Sequence, residues 1–366
     1  MNTSLENSKP IQVLVADDNA FMRTAITRMI ESDPDLRVGA TAQNGPEALE
    51  LAASLQPDVV TLDVKMPGLS GLEILKRMMK ENPRPVIMVS SETEEGTETS
   101  LEALEAGAFD CVAKQKTVGS LDIVKIREEL IAKIKAAAES GRRRRRVPSA
   151  PPKTIGPASA LAPSLSKEPG IVASVVAIGI STGGPKALQD VLPLLPSDLP
   201  VGVLIVQHMP LGFTEPFARR LGKTCRMSVH EASHQETVKP GVVYIAPAGQ
   251  HMTVARRSPA LAEIHISTSP EGMLHTPSVD VMMLSVAQTY GAHAMGVIMT
   301  GMGADGLRGM QAIAQQGGLT IGQDEATCAV YGMPRSCAES GVLQRVVPLL
   351  RIPEQIMLAT RYRPRE

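Results

Sequence analysis

The sequence predicts an α/β fold in two domains, each a doubly wound and mostly parallel sheet. Three observations predict it. The chain has 366 residues, the length of two domains, each able to bury its own core. Short runs rich in Val, Ile and Leu alternate with apolar residues at helical spacing, the pattern of buried strands joined by helices. That alternation is interrupted once, by a stretch of Pro, Ser, Ala and Arg too poor in large apolar residues to build a core.

The first domain spans 11–135. Ile11–Ala16, 59–62 and 86–89 read as buried strands, and 20–30, 45–55 and 71–80 between them as helices. This region carries 14 basic and 21 acidic residues, a net of −7. Residues 136–170 carry 7 basic and 2 acidic ones, including five consecutive arginines at 142–146 and six prolines from Pro148 to Pro169. The segment reads as an extended, solvated linker facing the acidic first domain. The second domain, 171–360, repeats the alternation, with strands at 175–178, 203–206 and 294–299. No internal repeat is evident.

Composition narrows the function classes. A net charge of −1 excludes a strongly basic nucleic-acid binder at whole-chain level, and eight aromatics offer no stacking platform for single strands. No apolar run reaches the roughly 18 residues that cross a bilayer. Residues 1–10 are polar, so no secretory signal is expected. Four scattered cysteines (Cys111, Cys225, Cys328, Cys337) read as reduced, buried thiols of a cytoplasmic protein.

Acidic residues gather at strand ends in the first domain. Asp17 and Asp18 follow one strand and Asp63 another, and ligands of open α/β sheets collect beyond carboxyl ends of strands. Three carboxylates there call for a cation, and Mg²⁺ suits their hard oxygens. Ser90 and Lys114 follow two further strands. A hydroxyl and an ammonium beside a metal-bound carboxylate stabilise a phosphoryl group on it. Helix capping by acids at βα turns explains one such residue, not five at the ends of four strands.

The second domain carries Gly179-Ile180-Ser181-Thr182-Gly183-Gly184 between a strand and a helical stretch. It satisfies G-x-S-x-G, the turn that exposes a nucleophilic serine, and equally a turn that holds phosphate at a helix N-terminus. His208 lies just past 203–206, and Asp305 in a glycine-rich loop past 294–299. All three side chains therefore sit past strand ends of one sheet. As a triad, Ser181 attacks, His208 carries the proton and Asp305 orients the imidazole. Glycines beside Ser181 and Met302 let backbone N–H groups approach an oxyanion. The order Ser, His, Asp differs from that of the α/β-hydrolase fold, so a serine hydrolase on another parallel-sheet fold is expected.

The wording of these motifs adds a resemblance. V-L-V-A-D-D-N, T-L-D-V-K-M-P-G, I-M-V-S-S and V-A-K resemble the receiver domain of bacterial response regulators. The likeness implies a flavodoxin-like receiver in which Asp63 accepts phosphate from a histidine kinase. It also implies that Asp17, Asp18 and Asp63 hold Mg²⁺, while Ser90 and Lys114 sense the phosphoryl group. Two positions depart: Gln115 stands where receivers usually have Pro, and Cys111 where many carry an aromatic switch residue. G-I-S-T-G-G-P, V-Q-H-M-P-L-G-F-T, P-G-V-V-Y-I-A-P-A-G-Q-H-M, P-S-V-D and M-T-G-M-G-A-D-G resemble the protein-glutamate methylesterases of bacterial chemotaxis. That likeness implies a Rossmann-like catalytic domain with the triad Ser181, His208 and Asp305. It further implies an oxyanion hole drawn partly from the Met302 N–H, and Thr182 beside the nucleophile. The implied reaction is phosphorylation-activated hydrolysis of glutamate methyl esters on methyl-accepting chemoreceptors, releasing methanol, with deamidation of receptor glutamines. No cofactor is expected for hydrolysis, nor any nucleic acid or membrane insertion.

Other signals read more plainly. His230-Glu231-Ala232-Ser233-His234 matches H-E-x-x-H, but zinc binding needs a helix there, and the flanks read as strand and turn. His251, His265, His275 and His293 read as packing or surface residues. The 19 methionines read as gap-fillers in a core short of aromatics. The arginine run beside a receiver raises a transcription regulator as the rival class, opposed by the absence of a helix-turn-helix pattern.

Overall fold

The computed structural model describes residues 9–91, 94–114, 120–146, 172–258 and 261–363. In the N-terminal domain, β1 (Ile11–Ala16), β2 (Leu36–Ala42), β3 (Val59–Asp63), β4 (Val86–Ser91) and β5 (Asp110–Lys114) pair in the order β2-β1-β3-β4-β5. Every pairing is parallel. Each strand is followed by its helix: α1 (Ala20–Glu31), α2 (Gly45–Leu55), α3 (Gly71–Glu81), α4 (Glu94–Glu105) and α5 (Ser120–Arg146). Asn19 caps α1 by accepting from the N–H groups of Phe21 and Met22, and Ser70 with Glu73 forms a capping box on α3. β2 carried no sequence signal. It is an edge strand whose exposed and buried residues alternate, so no apolar run marks it.

The linker begins later than 136. Residues 136–146 continue α5, and Ala136, Ala137 and Ala138 are buried against the sheet. Alanine is the best helix former, and three in a row extend the helix rather than release the chain. The remainder of the expected linker, 147–170, lies outside the described residues, as do residue 171 and Gln115.

The C-terminal domain is built on seven strands: β6 (Val175–Ile180), β7 (Gly202–Gln207), β8 (Ser228–Glu231), β9 (Val242–Ile245), β12 (Ala294–Ile298), β13 (Leu319–Gln323) and β14 (Arg345–Val347). Their order is β14-β13-β12-β6-β7-β9-β8, all parallel. An antiparallel hairpin, β10 (His251–Ser258) with β11 (Leu261–Ser267), stands apart from the sheet and packs on α8 (Val279–Tyr290). The other helices are α6 (Gly184–Val191), α7 (Thr214–Thr224), α9 (Leu307–Gln315), α10 (Met333–Glu339) and α11 (Ile352–Ala359). All six residues of β6 are buried, as a central parallel strand covered on both faces requires. The chain leaves β6 toward β7 on one side and returns through β12 on the other, so the strand order reverses beside β6. Open α/β sheets form their binding crevice at such a reversal.

The two domains meet through α4. Arg220 on α7 reaches Glu105 at 2.5 Å and Glu98 at 3.4 Å, Arg219 reaches Glu98 at 2.6 Å, and Gln189 on α6 donates to Glu105 at 3.3 Å. Beneath these pairs one apolar cluster joins Leu101 and Leu104 to Ala187, Leu188 and Val191. Arg219 and Arg220 are thus one basic partner of the acidic first domain, while the arginine run's side chains at 143–146 lie outside the described residues.

Candidate active site

Ser181, His208 and Asp305 stand at the ends of β6, β7 and β12. Backbone bonds set the first two side by side. His208 donates its N–H to the Ile180 carbonyl at 3.1 Å. The buried Gln207 amide donates to both the Ser181 and His208 carbonyls, at 3.0 and 2.9 Å. The Ser181 N–H donates to Thr300 across the β6–β12 seam at 3.0 Å. Gly183 caps α6 at φ +76°, a conformation that disfavours side chains, and lets the chain turn sharply after Ser181. Gly301 lies against the serine: a Cβ there would fall 2.8 Å from the Ser181 Cβ.

The carboxylate of Asp305 is held from several sides. It accepts from His208 Nε2 at 2.9 Å, Ser278 Oγ at 2.9 Å, and the N–H groups of Val279 and Asp280 at 2.8 and 2.9 Å. Val279 and Asp280 open α8, so the carboxylate occupies that helix's positive end. Burial alone would raise its pKa. The hydrogen bond and charge of His208 and the α8 N–H groups outweigh that and hold it at about 2. Asp280, itself buried, accepts from the Gly306 and Gly309 N–H groups and so braces the loop that carries Asp305. His251 accepts the Ser278 N–H on Nδ1 and donates from Nε2 to the Pro270 carbonyl, which fixes its neutral tautomer. Burial lowers its pKa, in keeping with that role.

With Nε2–H committed to Asp305, the other nitrogen of His208 decides the chemistry. Nδ1 is buried and without a hydrogen-bond partner among the described residues. It is left able to accept a proton. The His208 ring is stacked on that of His275, centroids 4.1 Å apart and planes 20° off parallel. Burial, then the charge of His208, push His275 down to about 4, while Glu129 and Lys133 of α5 act on it in opposite directions. The N-terminal domain therefore lies within electrostatic reach of the site. Thr182 is buried, its carbonyl bonded by Thr300 Oγ1 at 3.0 Å, and Met302 is half-buried in the loop after Gly301.

A second cluster lies at the reversal of the N-terminal sheet, beyond β1 and β3. Carboxylate oxygens of Asp17, Asp18 and Asp63 lie within 4.8 Å of one another. Lys114, from the end of β5, is 2.7 Å from both Asp17 and Asp63. Ser90 is buried at the end of β4. Burial raises the Asp63 carboxyl, against the hydrogen bond and charge of Lys114. One ammonium against three carboxylates leaves a surplus of negative charge that fits a divalent cation.

Comparison with known proteins matches each of the two domains to a family. Residues 176–356 match the CheB methylesterase family, and residues 13–124 match the response regulator receiver domain. A protein-glutamate methylesterase/protein-glutamine glutaminase 2 of Nitratidesulfovibrio vulgaris is 47% identical over 362 residues, covering 95% of this chain and 98% of its own. The chain belongs to the CheB methylesterase family. A second CheB relative, the protein-glutamate methylesterase/protein-glutamine glutaminase of Desulfitobacterium hafniense, is 43% identical over 382 residues, covering 95% of this chain and 97% of its own. The crystal structure of the Thermotoga maritima CheB methylesterase catalytic domain covers 51% of this chain and 99% of its own, with a TM-score of 0.50 and 38% identity.

Membership in the CheB family agrees with the fate of the rival readings. The H-E-x-x-H match lies on β8 and the following loop. His230 pairs with Glu236 at 2.8 Å, and His234 accepts from Ile266 at 3.1 Å, so the two rings serve different partners. Among the described residues the only group spaced for a metal is Asp17, Asp18 and Asp63. No helix of the described residues is long and apolar enough to cross a membrane. The sequence reading gives no site role to Ser278, Asp280 and Gln207, although its motifs contain them, and takes His251 and His275 as packing or surface residues. The N-cap pattern of P-S-V-D ahead of an apolar helix would have found Ser278. The His275 stack had no local signal.

Proposed function

We propose that this chain is a phosphorylation-activated protein-glutamate methylesterase and protein-glutamine glutaminase acting on chemoreceptors. The observation that carries the reading is the Asp305–His208 pair, its Nδ1 without a partner among the described residues, at the end of the strand next to that of Ser181, in a chain 47% identical to such an enzyme. Ser181 Oγ attacks the γ-carbonyl of a methylated glutamate as His208 Nδ1 takes its proton. Asp305, anionic down to about pH 2, steadies the imidazolium that forms. The oxyanion is met by backbone N–H groups of the glycine-rich loop, Met302 among them, with Thr182 supporting the nucleophile's turn. His208 returns the proton to the leaving methoxide, which departs as methanol. Water, activated by the same ring, then frees the glutamate from Ser181. With a glutamine the leaving group is ammonia.

Control lies in the N-terminal domain. Asp63 accepts phosphate from a histidine kinase, with Ser90 and Lys114 placed to hold the phosphoryl oxygens. Asp17, Asp18 and Asp63 would bind Mg²⁺, which neutralises the charge developing on the phosphoryl group. Hydrolysis at Ser181 needs no cofactor in this scheme. The grip of α4 on α6 and α7, and the reach of α5 to His275, support transmission from one site to the other. The enzyme works in the cytoplasm, where receptor tails and kinase are available.

The test is methanol release from methyl-labelled chemoreceptor membranes, with and without a small phosphodonor and Mg²⁺. Release should vanish in Ser181→Ala and should lose its response to phosphodonor in Asp63→Ala. Release independent of Ser181 overturns the esterase reading, and a phosphodonor response without Asp63 overturns the switch.

A further inference from the structure

Resting on that reading, we propose that His275 is a positioning residue whose ring face supports His208 during proton transfer. Nothing in the sequence places the two residues together. The structure puts their rings 4.1 Å apart and within 20° of parallel. His208 has one ring nitrogen tied to Asp305. A single in-plane bond leaves the ring free to pivot about that bond, and the pivot would swing Nδ1 away from Ser181. A second ring lying flat on the first removes that freedom. The stack therefore aims the nitrogen that must take the serine proton.

The same contact bears on charge. Once His208 holds the Ser181 proton it is a cation facing a π surface, and a ring face attracts a cation, most strongly where water is excluded. The attraction exists only while His275 is itself uncharged, since two stacked imidazolium rings repel. Burial keeps His275 neutral, its pKa pushed down to about 4. The charged groups acting on it are His208 and Asp305 from the site and Glu129 and Lys133 from α5, the last two of opposite sign. The support acts on the charged intermediate rather than on substrate binding, so it belongs to turnover.

The experiment compares full-length native protein, His275→Leu, His275→Phe and Ser181→Ala on methyl-labelled chemoreceptor membranes. A thermal melt of each variant establishes that it is folded. Leucine fills the space without a π face, and phenylalanine restores the face without a titratable group. His275→Leu should lower kcat by roughly 3–30-fold, the size of a desolvated cation–π contact, with KM nearly unchanged. His275→Phe should recover most of the loss, and its His208 Nε2–H proton resonance should match that of the native protein. Full kcat in His275→Leu, or a Phe variant as impaired as the Leu one, overturns the proposal while leaving the esterase reading intact. Activity surviving in Ser181→Ala overturns the reading itself.

Discussion

Asp305 does more than hold one imidazole nitrogen. It accepts from a histidine, a serine hydroxyl and two helix N–H groups, and a neutral amide at that position would face donors with a donor of its own. Asp305→Asn should therefore lower kcat by about 10³–10⁴-fold with the fold retained, checked by steady-state rates beside a melt. Titration of the same groups sets acid stability. Asp305 is depressed from 3.8 to about 2, so its stabilisation is complete above pH 4 and is lost as pH falls toward 2, about 2 kcal/mol in all. His275 works at higher pH. Its folded pKa of about 4 lies below the ordinary 6.5, so the unfolded chain binds the extra proton first, and stability falls between pH 6.5 and 4. Denaturant midpoints across that window should fall less steeply in His275→Phe. Ser181, His208 and Asp305 stand out in the sequence because each follows a run of buried apolar residues, and polar residues past strand ends are conspicuous. His275 was not legible, since its contact joins two loops far apart in the chain.

At the level of the element, the C-terminal domain depends on where α8 begins. Ser278 caps α8 through its Oγ and donates the same hydroxyl to Asp305, so one side chain secures both a helix end and the carboxylate. Ser278→Ala should cost about 1 kcal/mol in stability from the lost cap. It should also cost roughly tenfold in kcat, the worth of a hydrogen bond to a charged group. Gly301→Ala tests the other side of the nucleophile. Its Cβ would lie 2.4 Å from Met333 Sδ and 2.8 Å from the Ser181 Cβ. It should lower stability by about 1–3 kcal/mol and reduce turnover by displacing the serine, read from denaturation and rate on the same sample. Interior strands such as β6 were plain in the sequence because both faces are apolar. The edge strand β2 and the hairpin β10–β11 were not, since partial exposure breaks the apolar run. The start of the linker is read too early, at 136, because a polar, arginine-rich stretch hides that Ala136 to Ala138 are still buried in α5.

For the whole molecule, two sites at two sheet reversals must communicate across one interface. Among the described residues its polar part is three glutamates of α4 against Arg219 and Arg220 of α7, with Gln189 of α6 on Glu105. Exposed ion pairs are worth at most about 1 kcal/mol each, so this clasp is strong enough to orient the domains and weak enough to release. Glu98→Lys with Glu105→Lys should raise phosphodonor-free hydrolysis by roughly 5–150-fold, the usual range of such couplings. Adding Arg219→Glu and Arg220→Glu should restore the low rate, because the pairs re-form with signs exchanged. An unchanged rate in the first variant would show that the clasp does not restrain the enzyme. The division of the clasp between two helices also bears on inheritance. Neither domain carries the instruction for control alone; it is written in a matched pair of surfaces, acid on one and arginine on the other. A receiver transplanted from a relative would fold and accept phosphate yet govern nothing, unless α7 were exchanged along with it.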